Sequence, residues 1–419
     1  MLRGAASMNH FHYRGGVLCA EQVPLTRIAD EVSTPTYVYS TATLERHFRV
    51  LTKTFRGDPH LICYSVKASS NLSLLRLFAR LGSGFDVVSG GELYRAISAG
   101  ADPAKVVFSG VGKTAEEMAS ALKAGILLFN VESAEELEAL DAVGERLRRR
   151  APFAIRVNPD VDARTHRHIA TGLKTSKFGV PLEEAAPLYE KSRRMTGVIA
   201  RGVDCHIGSQ LTELAPIELA VTKVAQFYRA LVTRGFALNL IDVGGGLGIR
   251  YSAEHPPSPA EYAAVVRRAA RGTGARLILE PGRVIVGNAG VLLTRVLYRK
   301  KTPTKTFVVV DAGMNDLIRP ALYDASHELL PVRKRSGRSI PVDVVGPVCE
   351  SSDVLARNRR MVLPEQGDLW AVMSAGAYGM TMASNYNSRL RPAEVLVSKN
   401  GFRVVRQRET LADLVRGER

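Results

Sequence analysis

Leu61-Ile62-Cys63-Tyr64-Ser65-Val66-Lys67-Ala68 is an apolar, strand-like run that delivers one lysine at its end. A lysine at the C-terminal tip of a buried strand has to be solvated, paired or reactive. In a parallel barrel that tip faces the pocket where such folds do their chemistry. Taken alone, Lys67 reads as an ordinary snorkelling lysine. What the other strand ends deliver decides its meaning.

The same texture recurs between Leu44 and Gly287, where short apolar runs alternate with amphipathic stretches, the pattern of strand–helix units and a parallel sheet. Eight strands are expected, at 61–66, 85–88, 106–109, 127–131, 153–157, 202–207, 238–243 and 277–280. Eight is the number that closes a barrel. Helices are expected at 71–81, 91–99, 114–124, 211–234 and 258–271, and Ser133 with Glu136 reads as a capping box. After Gly287 the rhythm turns to β-branched runs without helical spacing, at 291–296, 306–310, 341–345, 370–373 and 395–397. The expectation is an α/β plus β protein: a (β/α)8 TIM-type barrel over 41–290, and an antiparallel β-domain of 291–419 completed by the N-terminal segment 1–40, with Thr36-Tyr37-Val38-Tyr39 as its clearest strand.

Composition narrows the classes. A chain of 419 residues exceeds the size at which one core stops growing, so two domains are expected. No apolar run approaches the ~20 residues a membrane helix needs. Residues 1–4 onward carry no continuous hydrophobic segment of the secretory kind, so the expected compartment is the cytoplasm. Cys19, Cys63, Cys205 and Cys349 form no Cys-x-x-Cys pair, which argues against a disulfide framework and a metal site. The net charge of +16 comes mostly from scattered arginines. The clusters Arg148-Arg149-Arg150, Arg299-Lys300-Lys301 and Arg333-Lys334-Arg335 lack interleaved aromatics, so a solvated basic surface is favoured over nucleic-acid binding.

The strand ends hold Lys67; Asp86 with Ser89-Gly90-Gly91-Glu92; Asn158-Pro159-Asp160; His206-Ile207-Gly208-Ser209-Gln210; Asp242-Val243-Gly244-Gly245-Gly246; and Glu280-Pro281-Gly282-Arg283. A purely structural barrel has no need for such a collection. Taken singly, the glycine triplet is a tight turn, His206 a satisfied core histidine and Glu280 a turn acid. Together they suit an anionic, aromatic, nitrogen-containing cofactor. Glycines at the seventh strand let backbone N–H groups approach a phosphate, the imidazole ring stacks on a cofactor face, and the carboxylate holds a ring nitrogen protonated. Pyridoxal phosphate needs these groups together with an amine for a Schiff base, which Lys67 supplies.

On these residues the chain resembles the fold-type III pyridoxal-phosphate decarboxylases. The resemblance runs from about Thr36 to Tyr386 and rests on Tyr64-Ser65-Val66-Lys67-Ala68, Asp86-Val87-Val88-Ser89-Gly90-Gly91-Glu92, Arg156-Val157-Asn158-Pro159-Asp160, Thr171-Gly172-Leu173, Lys177-Phe178-Gly179 and His206-Ile207-Gly208-Ser209-Gln210. It continues through Asp242 to Gly248, Glu280-Pro281-Gly282-Arg283, Asp311-Ala312-Gly313-Met314, Arg319-Pro320-Ala321-Leu322-Tyr323 and Gly346-Pro347-Val348-Cys349-Glu350. One departure is local: the family motif commonly continues Lys-Ala-Asn, whereas this chain has Ala68-Ser69-Ser70-Asn71.

The resemblance implies a decarboxylase acting through pyridoxal phosphate. It implies that Lys67 holds the cofactor beside Asp86, that His206 stacks on its ring, and that Glu280 pairs with the ring nitrogen. Ser209, Gly244, Gly245, Gly246, Gly282 and Tyr378 would contact the phosphate region. Arg283, Arg319, Tyr323, Glu350 and Tyr378 would bind substrate, and Cys349 or Lys67 would return a proton to the substrate carbon. It further implies a homodimer with shared active sites, Cys349 and Glu350 being supplied across the interface. Arginines suit a distal carboxylate and Glu350 a distal ammonium, a pairing that fits meso-2,6-diaminopimelate, and hence lysine as product, better than ornithine. Decarboxylation of ornithine, arginine or carboxynorspermidine, a relative of alanine racemase, and a non-catalytic cofactor-binding homologue are the alternatives.

Overall fold

The computed structural model describes residues 9–162 and 176–418, so the opening residues 1–4 and the Thr171-Gly172-Leu173 motif lie outside the described residues. The chain divides into two compact units, one of residues 48–249 and 255–284, the other of residues 1–47, 250–254 and 285–419.

The first unit is a closed parallel barrel. Its strands, in order, are His60–Ser65, Gly84–Val87, Val106–Phe108, Leu128–Val131, Ala151–Asn158, Val198–Asp204, Leu240–Asp242 and Arg276–Leu279. Each pairs with the next, and the last returns to the first through Leu277 opposite His60 and Leu279 opposite Ile62. The expected strands are thus present with edges moved by a few residues. Leu61, Cys63, Val107, Leu128, Ala154, Leu240 and Ile278 form one buried cluster, which makes the barrel a packed core rather than a pore.

The outer helices follow their caps. Asn71 accepts from the Ser73 N–H ahead of Leu72–Arg80, and Thr114–Glu117 and Ser258–Glu261 form capping boxes. The Ser69-Ser70 departure is accommodated there: Lys67 sits in a 3₁₀ turn, Val66–Ala68, and the chain is extended again before Asn71 caps the next helix. At Ser133 the expected box is only half made. Its hydroxyl accepts from the Glu136 N–H, but the Glu136 carboxylate turns to Lys113 and to the Glu132 N–H. The helices Leu25–Val32, Thr41–Thr54 and Leu182–Ser192 were not expected, the last because Pro187 inside it reads as a breaker.

The second unit is organised on the strand Gly290–Lys301, which pairs antiparallel with Thr36–Ser40, Thr306–Val310 and Leu369–Val372. The N-terminal strand therefore does complete this sheet. The sheet is mostly antiparallel, not wholly: Thr36–Ser40 runs parallel to Ala393–Ser398, and Thr306–Val310 parallel to Ser339–Val345. Thr36–Ser40 is buried at all five positions, the environment in which parallel pairing is tolerated. Its core joins Leu18, Leu25, Ile28, Val38, Leu293 and Val395.

Candidate active site

Lys67 follows the first barrel strand directly, and its Nζ lies 2.6 Å from Asp86 Oδ2 at the end of the second. Asp86 is completely buried, and the same oxygen accepts from Ser65 Oγ at 2.7 Å. The lysine amine is half-buried, so one end of the pair is fixed in the core while the other reaches the open face. Behind it, Glu92 caps the Val88 N–H, and burial lifts its carboxyl to about 7.

Glu280 directly follows the eighth strand and is 5% exposed. Burial first, and the Asp86 charge second, push its carboxyl up to about 7, with Lys67 pulling the other way. Asp204 and Asp242, opposite each other on the sixth and seventh strands, are pushed up too, chiefly by burial and by Glu280. The barrel therefore carries more buried carboxyl than the Arg156 guanidinium, itself 3.1 Å from Glu132, can offset. Polar side chains share the load. Asn130 Nδ2 donates to Asp242 Oδ2 and to Ser109 Oγ, each at 3.1 Å, and the Ser109 hydroxyl reaches Glu280 Oε1 at 3.2 Å.

The glycine triplet lies between these groups. Gly244 and Gly246 have φ of +65° and +104°, and a Cβ on Gly245 would stand 2.2 Å from the Glu280 carbonyl oxygen. The N–H of Gly244 donates to Asp242 Oδ1 and that of Gly245 to His206 Nδ1 at 3.1 Å. Two of the three N–H groups expected to receive an anion are thus engaged within the chain; that of Gly246 has no partner among the described residues. Because His206 Nδ1 accepts, the ring is neutral, and burial with the nearby Arg156 and Lys67 charges holds its pKa well below the ordinary value. Arg283 Nη2 donates to Ser209 Oγ at 2.9 Å, which couples two positions expected to act separately. Gly282 passes Ala68 and Ser65 too closely for any side chain.

These residues fit pyridoxal phosphate. The lysine amine suits its aldehyde, the neutral imidazole face its ring, and the backbone cradle closed to any Cβ its phosphate. The buried acid with its ionisation unmet suits a cationic ring nitrogen.

The remaining expected residues belong to the other unit. Arg319, buried, starts the helix Arg319–Tyr323, and Tyr323 and Tyr378 are partly buried, Tyr378 with φ of +55°. Cys349 and Glu350 are exposed on a turn. Asn387 Oδ1 accepts the Cys349 N–H at 2.7 Å, and Tyr386 Oη reaches Glu350 Oε2 at 3.2 Å. Buried Asp353 anchors that turn by accepting from the Met314 and Val348 N–H groups at 2.6 and 2.7 Å. No run of sequence announces Ser65, Ser109, Asn130 or Asp353 as site residues. The only hint, for Ser65 and Asn130, is that a polar side chain sits at a strand position where a barrel expects an aliphatic one; Ser109 follows its strand and Asp353 lies in a loop of the other unit.

Residues 41–287 match the family model of the pyridoxal-binding domain of pyridoxal-dependent decarboxylases. The chain is 53% identical over 97% of its length to the diaminopimelate decarboxylase of Vibrio cholerae, covering 98% of that protein. It is 52% identical over 98% of its length to that of Pseudomonas aeruginosa, covering 99%. Among solved structures it matches diaminopimelate decarboxylase from Helicobacter pylori complexed with L-lysine, with a TM-score of 0.91 and 44% identity, over 94% of this chain and 98% of that one. It also matches the M. jannaschii enzyme in co-complex with L-lysine, with a TM-score of 0.93 and 38% identity, over 98% of this chain and 97% of that one.

Proposed function

The chain belongs to the pyridoxal-dependent decarboxylases, and from that premise we propose that it converts meso-2,6-diaminopimelate to L-lysine and carbon dioxide, the last step of lysine biosynthesis. The observation that carries the reading is the convergence of the Lys67 amine, neutral His206 and uncompensated Glu280 at one end of the barrel. The substrate follows from identity above 50% along the whole chain to proteins named for it. Pyridoxal phosphate, when bound, supplies the electron sink that lets the bond to a substrate carboxylate break.

The chain's own residues do the rest. Lys67 would hold the cofactor through Nζ, which Asp86 keeps in place. Neutral His206 would stack on the cofactor ring without adding charge. Glu280 keeps the ring nitrogen protonated, and a cation there offsets the cost of burying its own charge. Ser209, the glycine triplet, Gly282 and Tyr378 hold the phosphate. Arg283, Arg319 and Tyr323 receive the distal carboxylate of the substrate and Glu350 its distal ammonium, which orients the other carboxylate for loss. Cys349 Sγ or Lys67 Nζ returns the proton. The exposed turn bearing Cys349 and Glu350 is offered across a homodimer to the neighbouring copy. The work is divided between a cofactor barrel of residues 41–290 and a β-domain of the rest. The four free thiols suit the cytoplasm.

Carbon dioxide release from a panel of meso-diaminopimelate, ornithine, arginine and carboxynorspermidine tests the reading. Turnover of meso-diaminopimelate well above the others is expected. Faster turnover of any other member would replace the substrate assignment.

A further inference from the structure

Four buried polar side chains cross the barrel interior in one line of hydrogen bonds. Asn130, completely buried on the fourth strand, donates through Nδ2 to Asp242 Oδ2 at the end of the seventh and to Ser109 Oγ just past the third, each at 3.1 Å. Ser109 Oγ lies 3.2 Å from Glu280 Oε1, and the Ser109 N–H is tied to the Val87 carbonyl at 2.9 Å. The direction of these bonds is fixed. Asn130 Oδ1 has no partner among the described residues. Turning the amide over would strand two N–H hydrogens in place of that one oxygen, and an idle oxygen is the better tolerated. Both amide hydrogens are therefore committed, and one of them occupies a lone pair of Ser109 Oγ. The single hydroxyl hydrogen then goes to Glu280.

Donation to Glu280 matters because that acid is otherwise drawn to keep its own proton. It is buried, and Asp86, Asp204 and Asp242 stand near it from the second, sixth and seventh strands, against the cations Lys67 and Arg156. Burial and like charge favour the neutral carboxyl, whereas a hydrogen bond to the carboxylate favours the ionised one. A neutral Glu280 would present its own hydrogen to a ring nitrogen; an ionised one faces a cation. We propose that Ser109 is a positioning residue for the reaction: oriented by Asn130, its hydroxyl donates to Glu280 Oε1 and so favours the ionised carboxylate, which leaves the proton on the cofactor's ring nitrogen and not on the acid. The inference rests on the role given to Glu280 above. Asn130 spends its second hydrogen on Asp242, which the Gly244 N–H also meets, so the line is anchored at both ends.

The test uses holoenzyme carrying pyridoxal phosphate labelled with nitrogen-15 in the ring, whose chemical shift reports the proton on that nitrogen. In Ser109→Ala the signal should move toward the unprotonated position, and kcat with meso-diaminopimelate should fall about tenfold with KM changed by less than about twofold. Ser109→Thr keeps the hydroxyl and should hold the signal near the parental position, whereas Ser109→Val, of the same shape as threonine without the hydroxyl, should follow the alanine variant; this pair also serves if Ser109→Ala fails to fold. In the cofactor-free protein, loss of the donor should raise the pH at which Glu280 ionises, about 7 in the parent, by about half a unit to one unit. Melting temperature followed against pH reads that move as an upward shift of the window in which stability is lost. A parental ring-nitrogen signal in both Ser109→Ala and Ser109→Val, or a Ser109→Thr signal displaced as far as that of Ser109→Val, would overturn the proposal. Glu280→Gln separates the two levels. If it moves the ring-nitrogen signal while Ser109→Ala and Ser109→Val do not, only the positioning role falls; if it leaves the signal at the parental position, the assignment of Glu280 falls first.

Discussion

Replacing Gly245 by alanine tests the cofactor cradle at its tightest point. The added Cβ would stand 2.2 Å from the Glu280 carbonyl oxygen and 3.0 Å from its carbon. Both are backbone atoms at the end of a barrel strand, so no side chain can swing away, and an ordinary contact requires a shift of roughly an ångström. Overpacking of this kind costs about 1–3 kcal/mol. Tilting the turn also strains the bond from the Gly245 N–H to His206 Nδ1, worth about 1 kcal/mol more. The shift carries the phosphate cradle, the imidazole and the Glu280 carboxylate out of register together. Titrating cofactor-free protein with pyridoxal phosphate, followed by absorption, should show affinity reduced by about tenfold to a hundredfold, the equivalent of about 1.4–2.8 kcal/mol. Melting temperature should fall in parallel. Gly112→Ala is the control, because nothing lies within 4 Å of its added Cβ, and its stability should change by less than about 0.5 kcal/mol. A Gly245→Ala protein with parental affinity and melting temperature would refute the cradle as described.

Other outcomes follow from the same structure. Glu280 titrates near 7 when folded against an ordinary 4.5, so the folded chain binds that proton more tightly; its stabilising contribution is full below about pH 4.5 and is lost as pH rises through about 7. Glu280→Gln should therefore flatten the fall in stability of the cofactor-free protein across that window, and an unchanged slope would contradict the burial argument. Asp353→Ala strands the Met314 and Val348 N–H groups and should cost about 2 kcal/mol or more. By loosening the turn that carries Cys349 and Glu350, it should lower kcat while cofactor affinity stays at the parental value. Of the four cysteines only Cys349 is exposed in the single chain, so it is the one a thiol reagent should reach first in the cofactor-free protein, and Cys349→Ser should abolish that reaction.

The barrel was legible because its strands are short, apolar and evenly spaced, and because parallel strands buried on both faces read as unbroken hydrophobic runs. Lys67, His206 and Glu280 stood out for the opposite reason, as polar residues at the ends of such runs. Elements whose local signal opposed their tertiary role were hidden. Val354–Val362 bears Arg357, Arg359 and Arg360 and lacks an apolar run, yet it pairs along Ser339–Val345. Leu182–Ser192 stays helical around Pro187. Relations formed only by folding were out of reach. Asn130 meets Asp242 across 112 positions, and Tyr251 lies over Arg319 from the loop after the seventh strand. The glycine triplet shows the limit on the other side: its residues were found, but the engagement of two of its N–H groups by Asp242 and His206 depends on side chains brought in by the fold.

Whether Lys67 holds the cofactor is answered by borohydride reduction of the purified holoenzyme followed by peptide mass mapping. A pyridoxyl-phosphate mass increment is expected on the peptide containing Lys67, absent in Lys67→Ala, which should also lose decarboxylation of meso-diaminopimelate. The increment on any other lysine, or a Lys67→Ala protein that keeps full activity, would contradict it.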